Sequence, residues 1–490
     1  MSATADSILV VDVGTSGLRA AVVRPDATVT AVHYRAMAPT SPFPGLVEFD
    51  GVAMAAAVLD VARAALAEAG PVAAVGIATQ RASTLVWDRT TGVPVNVGLG
   101  WQDLRTVFDC MTITAEHGLR FAPNQTATKL QWLLANSGDL AGRDLCFGTV
   151  DTWVAWTLSE GALHVTDHTN AAVGGLFDHH LMAWNERAFA ALGVDPTTAP
   201  RLVDSSGVLG PATALPGAPP IAGLAGDQQA SLLGQGCVRP GQAKVTFGTG
   251  GMLDVVLGPD APATAARSAG GTFPVVTWSR DGELTWGTEA IMLSAGTNVE
   301  WLVHDLGLLG APAESHDVAS ACADTGGVVY VPALLGLGTP HWDFGARGTL
   351  LGLTRGSGRA EITRAVLEGV AQRGADLVEA AEADTGITID HLRIDGGMSA
   401  NPTFVQAVAD ATGRAVEVSP IAEATTLGAA FLAGLAVGTW SGLDEIGATW
   451  SPRATVEPAA GVDRAAGRER WRTAVDRARQ WIPDLSSIEF

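Results

Sequence analysis

Val11-Asp12-Val13-Gly14-Thr15-Ser16-Gly17-Leu18 near the start and Val245-Thr246-Phe247-Gly248-Thr249-Gly250-Gly251-Met252 near the middle are two copies of one phrase. Each has an apolar lead-in, then Gly-Thr-small-Gly, then a return to apolar residues, Leu18 to Val23 in one and Met252 to Leu257 in the other. About half the chain separates them. The pattern predicts two β-hairpins with tight glycine turns, in two similar domains. Such a turn presents backbone N–H groups and a Thr hydroxyl with no bulky side chain in the way, a surface suited to phosphate oxygens. Two of them facing each other would clamp one nucleotide in a cleft. The alternative is a pair of ordinary hairpin turns. A second copy, and a carboxylate (Asp12) just before the first turn, favour the phosphate reading.

The composition is that of a large enzyme. At 490 residues the chain is too long for a single core, so two or three domains are expected. Hydrophobic residues make up 47%, ample for buried sheets and helices. A net charge of −21 argues against nucleic acid or an anionic membrane as partner. A phosphate site in so acidic a chain needs local compensation from loop amides, a few arginines and a divalent metal. Cys110, Cys146, Cys237 and Cys322 are widely spaced, which fits reduced thiols in the cytoplasm rather than disulfides or a zinc site. The N-terminus runs straight into a strand and does not read as a signal peptide. No apolar run is long enough to span a bilayer.

Strands are expected at 8–13, 18–23, 28–34 and 72–78, with a helix at 54–69 whose apolar residues fall at helical spacing. Further on, a helix at 360–385, a strand at 391–394 and a helix at 402–412 follow, the last after the break Asp395-Gly396-Gly397-Met398. The segment 463–481 reads as a surface helix lying back on a domain, with Trp471, Ala474, Ala478 and Trp481 as its packing stripe. Mixed strands and helices of this order point to an α/β fold.

Three segments carry candidate acceptor chemistry. Arg81, in Ala78-Thr79-Gln80-Arg81, is a positive donor at a strand's end, or else a surface arginine. Asp103, in Trp101-Gln102-Asp103, suits a polyol, since a carboxylate accepts two hydroxyl hydrogen bonds; a helix cap is the alternative. Asp227, in Gly226-Asp227-Gln228-Gln229, follows a glycine turn and opens a helix. It reads as an N-cap or as a general base that takes a proton from an acceptor hydroxyl during phosphoryl transfer. Gln228 would orient a neighbouring hydroxyl.

From about residue 7 to 450 the chain resembles the FGGY carbohydrate kinases, the sugar and polyol kinases of the actin-like ATPase superfamily. The resemblance is carried, in the family's order, by Val11–Arg19, Thr79–Thr106, Asp151-Thr152-Trp153, Gly226–Gln229, Phe247–Gly250, Gly336–Asp343, Gly348–Leu353 and Asp395–Asn401. The wording of Thr79-Gln80-Arg81, Trp101-Gln102-Asp103 and Gly226-Asp227-Gln228-Gln229 is closest to the glycerol kinase branch. The resemblance implies two ribonuclease-H-like domains with a cleft between them. Residues 1–247 would bind the acceptor and carry the base, 248–450 would bind nucleotide, and 451–490 would be a helical extension. It implies ATP and Mg2+, with Asp12 bearing on the metal. Thr15, Ser16 and Arg19 would meet the phosphates from one side and Thr249 from the other, while Gly296, Gly397 and Asn401 line the adenosine pocket. Arg81, Asp103, Asp227 and Gln228 would hold the acceptor, with Asp227 as the base. The expected partner is a small polyol or sugar, the expected assembly a homodimer or homotetramer.

Two departures bear on the substrate. Glycerol kinases have Glu where this chain has Ala82, and Tyr where it has Asn124. Both changes remove bulk, and the first removes an acceptor for a buried hydroxyl, a loss of about 1–3 kcal/mol if nothing replaces it. The expectation is therefore an acceptor larger than glycerol. The alternatives are a plain glycerol kinase, a non-catalytic sugar-responsive member of the superfamily, and an acetate-kinase-like or hexokinase-like enzyme. Retention of Asp12, Asp227 and both glycine turns disfavours the non-catalytic member. Glu300 replaces a Gln usual near the nucleotide, a smaller departure.

Overall fold

The computed structural model describes residues 6–263, 266–421 and 423–488. Thirteen strands form one continuous sheet that contains the same unit twice. In the first unit the order is Val29–Ala36, Gly17–Val23, Ile8–Val13, Ala74–Thr79, Pro220–Gly226. In the second it is Glu283–Met292, Gly251–Gly258, Ala243–Phe247, His391–Asp395, Ala415–Val418. Each unit is three antiparallel strands followed by two parallel ones. The repeated phrase thus marks a repeated fold. Each copy sits at the first hairpin of its unit, with Asp12 opposite Arg19 and Phe247 opposite Gly251. The units join through the strands Ser206–Pro211 and Phe273–Arg280, paired in parallel at Ser206 and Arg280.

The central strand Ile8–Val13 is buried at every position, as expected for a strand covered on both faces. One cover is the helix Gly51–Ala69. It starts where Asp50 accepts hydrogen bonds from the Val52 and Ala53 N–H groups, and it buries Met54, Val58, Val61 and Leu66. The other is the helix Ala424–Val437, which leaves the second unit and packs on the first unit's strands. Its approach is close enough that a Cβ on Gly223 would lie 2.6 Å from the Ala433 nitrogen. It also crosses the helix Asp227–Gly234, where a Cβ on Gly428 would overlap the Ala230 carbonyl. These contacts need glycine because backbone meets backbone. In the second unit the long helix Arg359–Thr385 covers the sheet.

A division at 247/248 would cut a hairpin. The strand Ala243–Phe247 pairs with Gly251–Gly258 and His391–Asp395, so it belongs to the second unit. The segment after 450 is not wholly helical, since Ala454–Val456 forms the outer strand of the sheet beside Ala415–Val418. The C-terminal helix runs from Arg464 to Ala478 and packs Trp471, Ala474 and Ala478 on Val331, Ala333 and Leu337. Trp481 lies beyond that helix and is 72% exposed, so it is not part of the stripe. The four cysteines are free. Among the described residues, no helix is long and apolar enough to cross a membrane.

Candidate active site

The site is built where the two units meet. Asp12 is the last residue but one of the central strand of the first unit, and the turn after that strand is closed by Gly14 N–H donating to the Gly17 carbonyl at 2.9 Å. Thr15 Oγ1 accepts from the Trp101 indole at 3.0 Å, and Ser16 is exposed. Arg19 lies 3.6 Å from Asp12 and pairs with Glu423, just before the returning helix. In the second unit the turn 248–250 is pinned by the N–H groups of Ala295 and Gly296, which donate to the carbonyls of Thr249 and Gly248. Thr249 itself is exposed.

Asp227 lies close enough to the first of these turns for its charge to act on Asp12. It is the first residue of its helix, Gly226 being the cap. One of its oxygens accepts from the Gln228 N–H at 2.8 Å and lies 3.6 Å from Arg81 Nε. The other makes no hydrogen bond among the described residues. Burial raises its pKa above the ordinary carboxylate value, against the lowering pull of Arg81, the Gln228 N–H and Lys244. Arg81 crosses to the second unit, where Nη1 meets Glu289 at 2.8 Å and Nη2 meets the Met252 sulfur at 3.5 Å. Burial works against its charge, and Glu289, Asp227 and Asp254 more than offset that. Gln228 accepts from Lys244 Nζ at 2.8 Å.

Asp12 has few donors around it. Burial pushes its pKa up to about 7, against the weaker pull of Arg19, and the charge of Asp227 adds to the rise. A desolvated carboxylate in this state suits a hard cation, which takes oxygen ligands. Among the described residues no group of three metal-ligating side chains exists, so a cation here would take most of its ligands from phosphate and water.

Two of the expected site residues have their polar atoms engaged by partners inside the protein. Asp103 is fully buried and both oxygens are occupied: Oδ2 accepts from Val47 N–H at 2.6 Å and Arg105 Nη2 at 2.9 Å, Oδ1 from Arg105 Nε at 2.8 Å. It holds a loop together and has no lone pair turned to an acceptor. Asn401 caps its helix by accepting from Phe404 N–H at 3.1 Å and donates to Ser315 at 2.9 Å, so its amide is used within the second unit. Gly296 opens a helix beside the 248–250 turn. Gly397 has open space on its side-chain face, while a Cβ on its neighbour Gly396 would overlap Phe247 backbone.

At the two departures, Ala82 is buried at 6% exposure and its carbonyl accepts from Thr84, while Asn124 is exposed on a turn. Lys129 Nζ lies beneath, donating to the Asn124 carbonyl at 2.9 Å and the Ala82 carbonyl at 3.4 Å. Burial lowers its pKa to about 7, partly countered by Asp103. The structure adds Glu289, Lys244, Asp254 and Met252 to the site. Asp254 interrupts an otherwise apolar strand, a signal readable in the sequence.

The duplicated α/β units are those of a two-domain actin-like ATPase fold, and the family and relatives the chain matches make it an ATP-dependent kinase. The chain belongs to the FGGY family of carbohydrate kinases: the family's N-terminal domain matches residues 7–234 and its C-terminal domain residues 243–437. It is 43% identical to a glycerol kinase of Aromatoleum aromaticum over 97% of this chain and 99% of that one. It is 42% identical to a glycerol kinase of Bordetella parapertussis over 97% of each. The crystal structure of Plasmodium falciparum glycerol kinase with ADP superposes with a TM-score of 0.90 at 27% identity, covering 99% of both chains.

Proposed function

We propose that the enzyme transfers the γ-phosphoryl group of Mg·ATP to a hydroxyl of glycerol, with Asp227 as general base. The observation that carries the chemistry is the half-buried Asp227 carboxylate, held by one oxygen and free at the other, between Arg81 and Gln228. The choice of glycerol rests on full-length similarity to proteins of that name.

In this mechanism Arg81 and Gln228 hold the acceptor while the free Asp227 oxygen takes the hydroxyl proton as phosphoryl transfer proceeds. Thr15, Ser16, Arg19 and Thr249 meet the phosphates, with Gly296 and Gly397 beside the nucleoside. Asp12 would hold Mg2+, directly or through water, and the ion would neutralise charge on the transferring phosphate. The residues of one unit must approach those of the other, so turnover requires closure of the cleft.

A second reading keeps a larger polyol or ketose as acceptor, because Asn124 gives the site no aromatic wall. The deciding experiment compares kcat/KM for glycerol, erythritol, pentitols and ketopentoses on one preparation. Glycerol is expected to lead by about tenfold or more, the size of discrimination a few hydroxyl contacts supply. A longer polyol leading by that factor would replace glycerol as the substrate.

A further inference from the structure

Lys244 and Asp254 are directly opposite each other on the hairpin strands of the second unit. Both are essentially sealed from solvent, at 0% and 1% exposure. Lys244 Nζ lies 2.9 Å from Asp254 Oδ2, but neither Asp254 oxygen makes an aligned hydrogen bond. The ammonium spends its aligned donors elsewhere: on Thr246 Oγ1 at 3.0 Å and, across the junction, on Gln228 Oε1 at 2.8 Å. Burial works against its charge, and Asp254 and Asp395 more than offset that. A buried ion pair of this kind contributes little net stability, so its reach to the acceptor side needs another reason.

That reason is polarity. An ammonium has three donors and no acceptor, whereas a glutamine amide can face a partner with either end. Facing Lys244, Gln228 must turn its carbonyl inward. Its Nε2 then makes no hydrogen bond among the described residues and is left to the acceptor. Asp227 beside it can only accept when ionised.

We propose that Lys244 is a positioning residue that fixes the polarity of acceptor recognition. It locks Gln228 so that the site offers one donor (Gln228 Nε2) and one acceptor (Asp227). An alcohol oxygen satisfies both at once, accepting from Nε2 and directing its own proton at Asp227. A group that only donates, such as a protonated amine in the hydroxyl's place, meets Nε2 donor to donor and is rejected. The inference rests on the acceptor-holding role given above to Gln228 and Asp227. The turnover of Asp227→Asn judges that role; the ratios between variants judge Lys244.

The test uses the full chain and the best alcohol from the acceptor panel. Removing the pair together, Lys244→Met with Asp254→Leu, avoids leaving one buried charge alone. Acceptor KM is expected to rise about tenfold, the equivalent of one hydrogen bond, with ATP KM unchanged. In a Gln228→Ala background the same pair removal should then change acceptor KM no further. An equal rise in both backgrounds, or equal rises in acceptor and ATP KM, would mean the pair is merely structural. Gln228→Glu reads the polarity without touching the pair. It keeps the contact to Lys244 but replaces the Nε2 donor with an oxygen, so acceptor KM should rise at least tenfold. Wild-type acceptor KM in Gln228→Glu would overturn the proposal, whether or not the pair variant folds.

Discussion

Asp227→Asn is expected to lower kcat by roughly 10²–10⁴-fold, the range for losing a positioned general base. The amide keeps the size of the side chain and can still accept from the Gln228 N–H through its oxygen, so folding and acceptor KM should change little. The variant also tests the pH dependence. A base works ionised, and burial holds the Asp227 pKa above the ordinary carboxylate value. Wild-type kcat/KM should therefore fall as pH drops through that raised value, an acidic limb above the usual carboxylate range of about 4. The groups that set its position are Arg81, Lys244, Glu289 and Asp12. Residual activity in Asp227→Asn should lack the limb. Near-wild-type turnover would reduce Asp227 to a residue at a helix start.

Asp103→Ala is expected to act on stability instead. Removing a buried carboxylate strands a nearly buried partner, and such losses run to about 3–5 kcal/mol. Here Arg105 would keep Glu48 at 2.7 Å but lose three contacts to Asp103, two from its side chain and one from its backbone N–H, and the Val47 N–H would lose its acceptor. Thermal and denaturant unfolding should show the loss, while acceptor KM in the folded enzyme stays close to wild type. A raised KM at unchanged stability would return Asp103 to the acceptor site.

These two aspartates show what a sequence can disclose. Asp103 suits a polyol by its chemistry, and Asp227 suits a base or a helix cap. The place of Asp227 at a helix start is legible because the signal is local: Gly226 before it and its own helix after it. Asp103 misleads because the groups that occupy it include Val47, more than fifty residues away in the chain. The duplicated hairpins are legible because a glycine turn between two short apolar runs is a local signal. The boundary at 247/248 misplaces a strand because Ala243–Phe247 takes its identity from pairing with His391–Asp395. Trp481 fits the helical stripe by spacing, but the helix has already ended at Ala478. The Lys244–Asp254 pair was within reach, since a hairpin turning at Gly248–Gly250 sets those two residues opposite each other. What no spacing conveys is that Arg81 crosses to Glu289 on the other unit.

The most direct measurement is a crystal structure of the enzyme with glycerol and a non-hydrolysable ATP analogue. One glycerol hydroxyl should lie within hydrogen-bond reach of the free Asp227 oxygen, about 2.6–3.2 Å. The same oxygen atom of glycerol should approach the γ-phosphorus in line, at about 3–3.5 Å. Glycerol bound away from Asp227, with that carboxylate still facing only its own helix, would contradict the assignment of Asp227 as general base.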